Sequence, residues 1–344
     1  MKKLLLLFVN ALILTSCSSL KTIHSHKSSQ SIEKIKPDQV DIVLDNAQKV
    51  EKAIEVAPLD ETVRVGEHGG DLYTVDQSSE DQRERKKLRI GLSFGPGIYR
   101  TINYVSILKI LERQNLSPDI ITGTGFGAIV ASMYAVGMTP EVIEWNFYKY
   151  FKEKRGNKPY DQDWFQEIDN TLLSKLRSFQ IQDAKKKLFL TLYDHKTKKT
   201  YYFDKGNIRD LLLLNLKLST DFKESKSGQK YSTAFEKEVY NARLLRQLGA
   251  EFTIAVDVLG TKFDFDVPNE FLIGVYGRTA GRIQKEKKDF DYAVTLPLSL
   301  MNLDSTKESP LFMQKSFEFM QKQIPVLVKK LNDKIESSIN AGNE

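Results

Sequence analysis

Residues 119–137 have the sequence DIITGTGFGAIVASMYAVG, and this stretch decides the fold. An apolar run leads into Gly123, Gly125 and Gly127, and a helix-like run of small and apolar residues follows. A strand that turns sharply on glycines into a helix is the geometry of a nucleophile elbow, which presents a serine at its tip. The residue at the tip here is Gly125, which has no side chain that could attack a substrate. The stretch therefore predicts the architecture of an elbow without its nucleophile.

The sequence around the elbow alternates between strand and helix patterns. Apolar runs typical of strands cover residues 88–94, 188–193, 199–203, 252–258 and 292–296. Patterns typical of helices cover residues 102–111, 128–136, 239–248 and 271–285, and a long amphipathic helix opens at Ser309-Pro310. This alternation predicts βαβ units and a parallel sheet with helices on both faces.

Composition limits the range of functions. A chain of 344 residues with 41% hydrophobic residues can bury one large α/β core and still carry a tail. The formal charge of +6 comes from 51 basic and 45 acidic residues spread along the chain, whereas nucleic-acid binding requires a concentrated basic patch. We therefore expect no nucleic-acid partner. The four histidines lack metal-ligand spacing, so neither a metal nor a cofactor is predicted.

The N-terminus has the pattern of an export signal. Lys2 and Lys3 precede an apolar run, residues 4–14, which is too short to span a bilayer. The run ends in Leu14-Thr15-Ser16-Cys17, which resembles the bacterial lipobox. We expect residues 1–16 to be a lipoprotein signal peptide and Cys17, the single cysteine, to be acylated. The alternative is an ordinary signal peptide that happens to end at a cysteine.

The lipobox resemblance implies a location and an organisation of the chain. It places the protein at the bacterial cell envelope, and Ser18 favours the outer membrane, on its periplasmic face or at the surface. Residues 17–86 are polar and are expected to form a flexible tether, with an arm packed along the domain as the alternative. The α/β domain is predicted at 87–335, followed by a tail at 336–344.

Five stretches in this order resemble the patatin-like phospholipase family. They are GLSFGPGIYRTINYVSILKILE (91–112), the elbow stretch, YYFDKGNI (201–208), LGAEFTIAVDV (248–258) and DYAVTLPL (291–298). The resemblance implies a three-layer α/β/α fold with a mainly parallel central sheet. It also implies lipid acyl hydrolysis by a serine-aspartate dyad, assisted by a glycine-rich oxyanion loop with an arginine nearby.

The family's chemical positions are changed in this sequence. The resemblance maps the elbow serine onto Gly125 and the dyad aspartate, the first residue of an Asp-Gly-(Gly/Ala) motif, onto Thr233 of Thr233-Ala234-Phe235. The oxyanion loop maps onto Pro96-Gly97-Ile98, where the proline lacks an N–H donor, and only Arg100 of that motif is retained. No residue is thus predicted to be catalytic, and we expect no family-type hydrolysis.

Three functions stay open at this point. The first is a lipid-anchored protein whose degenerate domain binds a lipid, an acyl ligand or a protein partner. An anionic lipid or fatty acid would then lie at the N-terminus of the elbow helix near Arg100, unless that arginine only pairs with a local carboxylate. The second is an active lipid acyl hydrolase that uses displaced hydroxyls such as Ser93 or Thr124. The third is a non-catalytic scaffold whose pocket is filled by aromatic side chains, with Tyr99, Tyr104 and Phe126 as the candidates.

Overall fold

The computed structural model describes residues 88–219 and 230–341. One seven-stranded sheet contains β1 (Ile90–Phe94), β2 (Ile120–Gly123), β3 (Lys187–Asp194), β4 (Lys199–Phe203), β5 (Tyr231–Thr233), β6 (Phe252–Asp257) and β7 (Tyr292–Thr295). The described α-helices are α1 (Tyr104–Arg113), α2 (Gly127–Ala135), α3 (Pro140–Glu153), α4 (Gln162–Asn170), α5 (Ile208–Asn215), α6 (Ala242–Gln247), α7 (Glu270–Glu286) and α8 (Ser309–Ala341). The predicted signal peptide, Cys17 and tether lie outside the described residues.

The strands follow the order β4-β3-β2-β1-β6-β7, and β5 pairs with β3. The pairs β1–β2, β1–β6, β2–β3 and β6–β7 are parallel, whereas β3 pairs antiparallel with both β4 and β5. Helices cover both faces of the sheet, which confirms the predicted α/β/α fold with a mainly parallel sheet. Because β2 and β6 lie on opposite sides of β1, the strand order reverses at β1, and the carboxyl end of β1 is where such sheets place a site.

The core explains why these runs form strands. Every residue of β1, β2 and β6 is buried, as expected for parallel strands that are covered by helices on both faces. The helix α2 is buried along its whole length, so it has no polar face. A fully buried helix next to the sheet centre fixes the direction in which the elbow points.

The last helix extends past residue 335, the predicted end of the domain. It begins at Ser309, as predicted, contains Pro325, and runs to Ala341. The predicted start of a tail at residue 336 therefore falls inside α8, because no glycine or proline follows Pro325 before the helix ends. Among residues 88–219 and 230–341, no helix combines the length and the apolar character that crossing a membrane requires.

Candidate functional site

The elbow forms where the glycines predict it. The strand β2 ends at Gly123, α2 begins at Gly127, and Gly125 between them has a φ of +59°, in the left-handed region that favours glycine. A Cβ atom on Gly127 would lie 2.1 Å from the carbonyl oxygen of Gly95, so only glycine permits this close approach of the two loops. The elbow and the predicted oxyanion loop therefore touch through their backbones.

The space at the tip of the elbow is occupied. A Cβ atom on Gly125 would lie 2.9 Å from Cδ1 of Phe235 and 3.0 Å from Cβ of Pro96. The side chain of Phe235 is fully buried, and its ring packs against Tyr276 with 5.5 Å between the ring centroids. A serine at position 125 would need the volume that these two side chains fill.

A buried amide holds the tip in place. Asn215, the last residue of α5, accepts a hydrogen bond from the N–H of Gly125 at 2.6 Å through Oδ1. Its Nδ2 donates to the carbonyl oxygen of Thr191 in β3 at 3.1 Å. Sequence reasoning missed Asn215, although an asparagine at a buried helix position is itself a signal of a polar contact. The elbow N–H is therefore bound to the protein.

Thr233 lies at the end of β5 and is buried. Its N–H donates to the carbonyl oxygen of Lys217 at 2.8 Å, whereas its Oγ1 has no hydrogen-bond partner among the described residues. A threonine hydroxyl cannot act as the carboxylate base that the family dyad uses. Thr233, which the resemblance maps onto the aspartate, thus lies two residues before Phe235, the residue that fills the tip.

The two hydroxyls considered as displaced nucleophiles are buried without a base. The Oγ of Ser93 is hydrogen-bonded to the hydroxyl of Thr122 across the β1–β2 pair. The Oγ1 of Thr124 has no hydrogen-bond partner among the described residues. An activated hydroxyl needs a base within hydrogen-bond reach, so neither position has the geometry of a nucleophile.

The loop after β1 departs from an oxyanion hole. Pro96 has no N–H, and Ile98 is buried with a φ of +44°, a conformation that a β-branched residue adopts only with strain. The N–H of Gly95 donates to the hydroxyl of Tyr104 at 2.7 Å. That hydroxyl also donates to the carbonyl oxygen of Val256 at 3.0 Å, which ties the loop to β6. The loop packs on its own core instead of offering a row of glycine N–H groups.

Arg100 joins two loops through backbone carbonyls. Its guanidinium is fully buried and donates through Nε to Met301 O at 2.6 Å and through Nη1 to Leu259 O at 2.5 Å. Both Nη atoms also lie 3.3–3.4 Å from Lys262 O. Burial lowers the pKa of Arg100 to about 10, against the opposing charge of Asp257, so the group stays cationic at neutral pH. The contacts of Arg100 are thus with backbone carbonyls and not with a carboxylate, whereas an anionic ligand near it stays a prediction.

Aromatic residues pack behind the elbow, but they do not fill its tip. Tyr99, Tyr104 and Phe126 are buried, and the rings of Tyr99 and Phe126 meet edge to face at 5.9 Å. Trp164 packs on Phe126 at 5.9 Å and donates its indole N–H to the Tyr99 hydroxyl at 2.9 Å. The sequence therefore identifies three residues that are buried around the site, but it misses Phe235, which lies against Gly125.

Comparison with family models gives one match over this chain. The sequence model described as "Patatin-like phospholipase" matches residues 92–273, just over half of the chain. No curated protein matches the sequence. The matched range contains the loop after β1, the elbow and Thr233.

Several solved structures are similar to parts of this chain. Human GIVD cytosolic phospholipase A2 is 10% identical, with a TM-score of 0.45, and the match covers 75% of this chain and 60% of that chain. VipD from Legionella pneumophila is 10% identical, with a TM-score of 0.40, and the match covers 73% of this chain and 67% of that chain. The effector ExoU of Pseudomonas aeruginosa is 14% identical, with a TM-score of 0.29, and the match covers 58% of this chain and 52% of that chain.

This chain matches about half of the length of ExoU and three fifths of the length of the human enzyme. The family match itself runs from the second half of β1 through the elbow to the beginning of α7, the segment that builds the central sheet and the site. On that match, the chain belongs to the patatin-like phospholipase family, a family of lipid acyl hydrolases.

Proposed function

We propose that this chain is a non-hydrolytic member of its family, anchored at the bacterial cell envelope through Cys17, that works by binding a lipid or protein partner through its surface. The observation that carries the proposal is the filled tip of the elbow. Phe235 and Pro96 lie within about 3 Å of the position that a Cβ of residue 125 would take. A nucleophilic side chain at position 125 would therefore overlap these two residues.

The chemistry of ester hydrolysis supports the same proposal. It needs a nucleophile, a base that activates it and donors that stabilise the developing oxyanion. Gly125 supplies no nucleophile, Thr233 supplies no carboxylate, and Pro96 supplies no N–H. Loss of one oxyanion donor alone costs about 10²–10³ in kcat, so the combined losses leave no basis for family-type catalysis.

Fluorophosphonate labelling of the full chain tests this proposal. We expect no covalent adduct and no turnover of a short-chain ester, because neither Ser93 nor Thr124 has a base within hydrogen-bond reach among the described residues. Ser93→Ala and Thr124→Val serve as matched variants, which should behave like the wild type. A stoichiometric adduct on Ser93 or Thr124, with turnover that the corresponding variant abolishes, would establish the active hydrolase instead.

The anchor is tested separately by labelling cells with radioactive palmitate. We expect the label on the wild type and on Ser18→Ala, and none on Cys17→Ala, because the lipobox resemblance makes Cys17 the acylated residue. The Cys17→Ala protein should also leave the membrane fraction. Label that persists in Cys17→Ala would refute the anchor without bearing on hydrolysis.

A further inference from the structure

The outer face of α3 is unusual for a surface helix. Ile143, Phe147 and Tyr150 bury its inner face in the core. On the opposite side, Trp145 and Tyr148 are 63% and 52% exposed. Their rings stack on each other at 5.8 Å with 26° between the planes, so they form one apolar surface on the solvent side.

The neighbouring Val142 extends this surface by one helical turn. It is 47% exposed, and its N–H is capped by the Thr139 side chain at 3.4 Å, which fixes the start of the helix. Residues 142, 145 and 148 recur at every third position and therefore share one stripe. Single exposed apolar residues are common, but a contiguous set with two aromatic rings marks an interaction site.

The end of the same helix is strongly basic. Residues 149–158 contain five basic residues and one acidic residue, Glu153. Lys149, Lys152 and Arg155 are exposed, and Glu153 lies 4.0 Å from Lys149. The aromatic stripe thus runs directly into a positively charged end.

The acidic residues of α3 offset only part of this charge, because Glu153, beside Lys149, is the only one of them at the basic end. Glu144 forms an ion pair with Lys109 of α1, and Glu141 lies in the first turn, at the opposite end of the helix. An acid at a helix N-terminus is the common placement, since it complements the helix dipole. The charge complement of the basic end is therefore an anionic surface.

We infer that the aromatic-basic face formed by Val142, Trp145, Tyr148, Lys149 and Lys152 of α3, together with Arg155 just after the helix, docks on a membrane surface that contains anionic phospholipids. Tryptophan and tyrosine prefer the depth of the lipid headgroups, where their rings are buried and their polar atoms stay wet. Lysine and arginine next to them attract anionic headgroups. A convex helix face fits a flat bilayer, whereas a peptide ligand would need a groove.

The inference specifies the lipid partner in the proposed function and rests on it only for the anchored location. The anchor would keep the domain near the bilayer. Docking of α3 would then determine which side of the domain faces the lipid. Tethering raises the local concentration of the surface, so a docking contact that is weak in solution is populated at the membrane.

Trp145 provides a site-specific probe. The chain has two tryptophans, and the other, Trp164, is fully buried and hydrogen-bonded to Tyr99. The full-length protein is reconstituted into vesicles of phosphatidylcholine alone or mixed with phosphatidylglycerol, each with brominated acyl chains that quench tryptophan on contact. We expect quenching of Trp145 in the phosphatidylglycerol vesicles, little in phosphatidylcholine alone, and none of Trp164 in the variant Trp145→Phe.

Two variants define the outcome. Lys152→Gln with Arg155→Gln should lower the docking constant roughly 30-fold in the anionic vesicles. Leu300→Ala, which alters an apolar residue that is 79% exposed elsewhere, should change nothing. Flotation of the protein without quenching of Trp145, or equal quenching in both lipids, would overturn the inference and leave the anchor intact. Protection of Trp145 only after an envelope protein is added would also overturn it.

Discussion

Gly125→Ser is expected to lower the free energy of unfolding by about 3 kcal/mol. A φ of +59° costs a residue with a Cβ about 1–2 kcal/mol. The new side chain would also overlap Phe235 and Pro96, and overpacking of a filled core costs about 1–3 kcal/mol. Urea denaturation of both proteins measures the difference.

Gly156→Ser is the matched control for this substitution. Gly156 also has a positive φ, +76°, but nothing lies within 4 Å of the position that its Cβ would take. It should therefore lose only the part of the stability that the backbone conformation costs. Equal losses for the two variants would show that the tip of the elbow has room.

A double-mutant cycle isolates the contact between the tip and the ring. Phe235→Ala alone should cost about 3–5 kcal/mol, as for other buried phenylalanines. The double variant Gly125→Ser with Phe235→Ala should lose at least about 1 kcal/mol less than the sum, because the smaller residue 235 makes space for the serine. Strict additivity would contradict the proposed packing.

This packing changes the meaning of the sequence differences from the family. Gly125, Pro96 and Phe235 stand at three separate motifs in the chain, and the sequence alone does not relate them to one another. In the structure, both Pro96 and Phe235 lie against Gly125, so the three residues form one packed unit. Restoring the serine, even together with Thr233→Asp, would leave the site blocked by the phenylalanine, and we expect no return of hydrolysis.

The sequence predicts the centre of the fold because the relevant signals are local. The apolar runs of β1 and β6 and the glycines of the elbow carry their own structural meaning, so their positions are confirmed within one or two residues. Helix α6 begins at Ala242, three residues later than predicted. Asn241, whose side chain accepts the N–H of Leu244 at 2.7 Å, was the available signal for this start.

The parts that the sequence does not predict depend on distant contacts. The strand β5 has three residues and no periodicity, and it exists because it pairs with β3. The local sequence does not identify Gly125 as the contact of either Phe235 or Asn215. The position of a side chain in the tertiary structure decides these contacts, whereas a motif specifies only the turn.

Arg100→Met is expected to lower the free energy of unfolding by about 3 kcal/mol or more. The substitution keeps much of the side-chain volume but leaves the carbonyl oxygens of Leu259 and Met301 without their donor. Leaving a buried polar group without its partner costs about 1–3 kcal/mol, and the substitution does this to two carbonyl groups. Hydrogen exchange should also become faster in residues 258–264 and 298–303, the loops that Arg100 joins.

Arg243→Met is the control, because Arg243 is exposed and should change stability by less than about 0.5 kcal/mol. The same pair of variants separates a structural arginine from an anion ligand. A ligand arginine would let added phosphate or fatty acid stabilise the wild type, since binding to the folded state alone raises stability. We expect the wild type and Arg100→Met to show equal, negligible responses to both anions, because backbone carbonyls already occupy the guanidinium. A stabilisation that is present in the wild type and lost in Arg100→Met would return the arginine to a binding role.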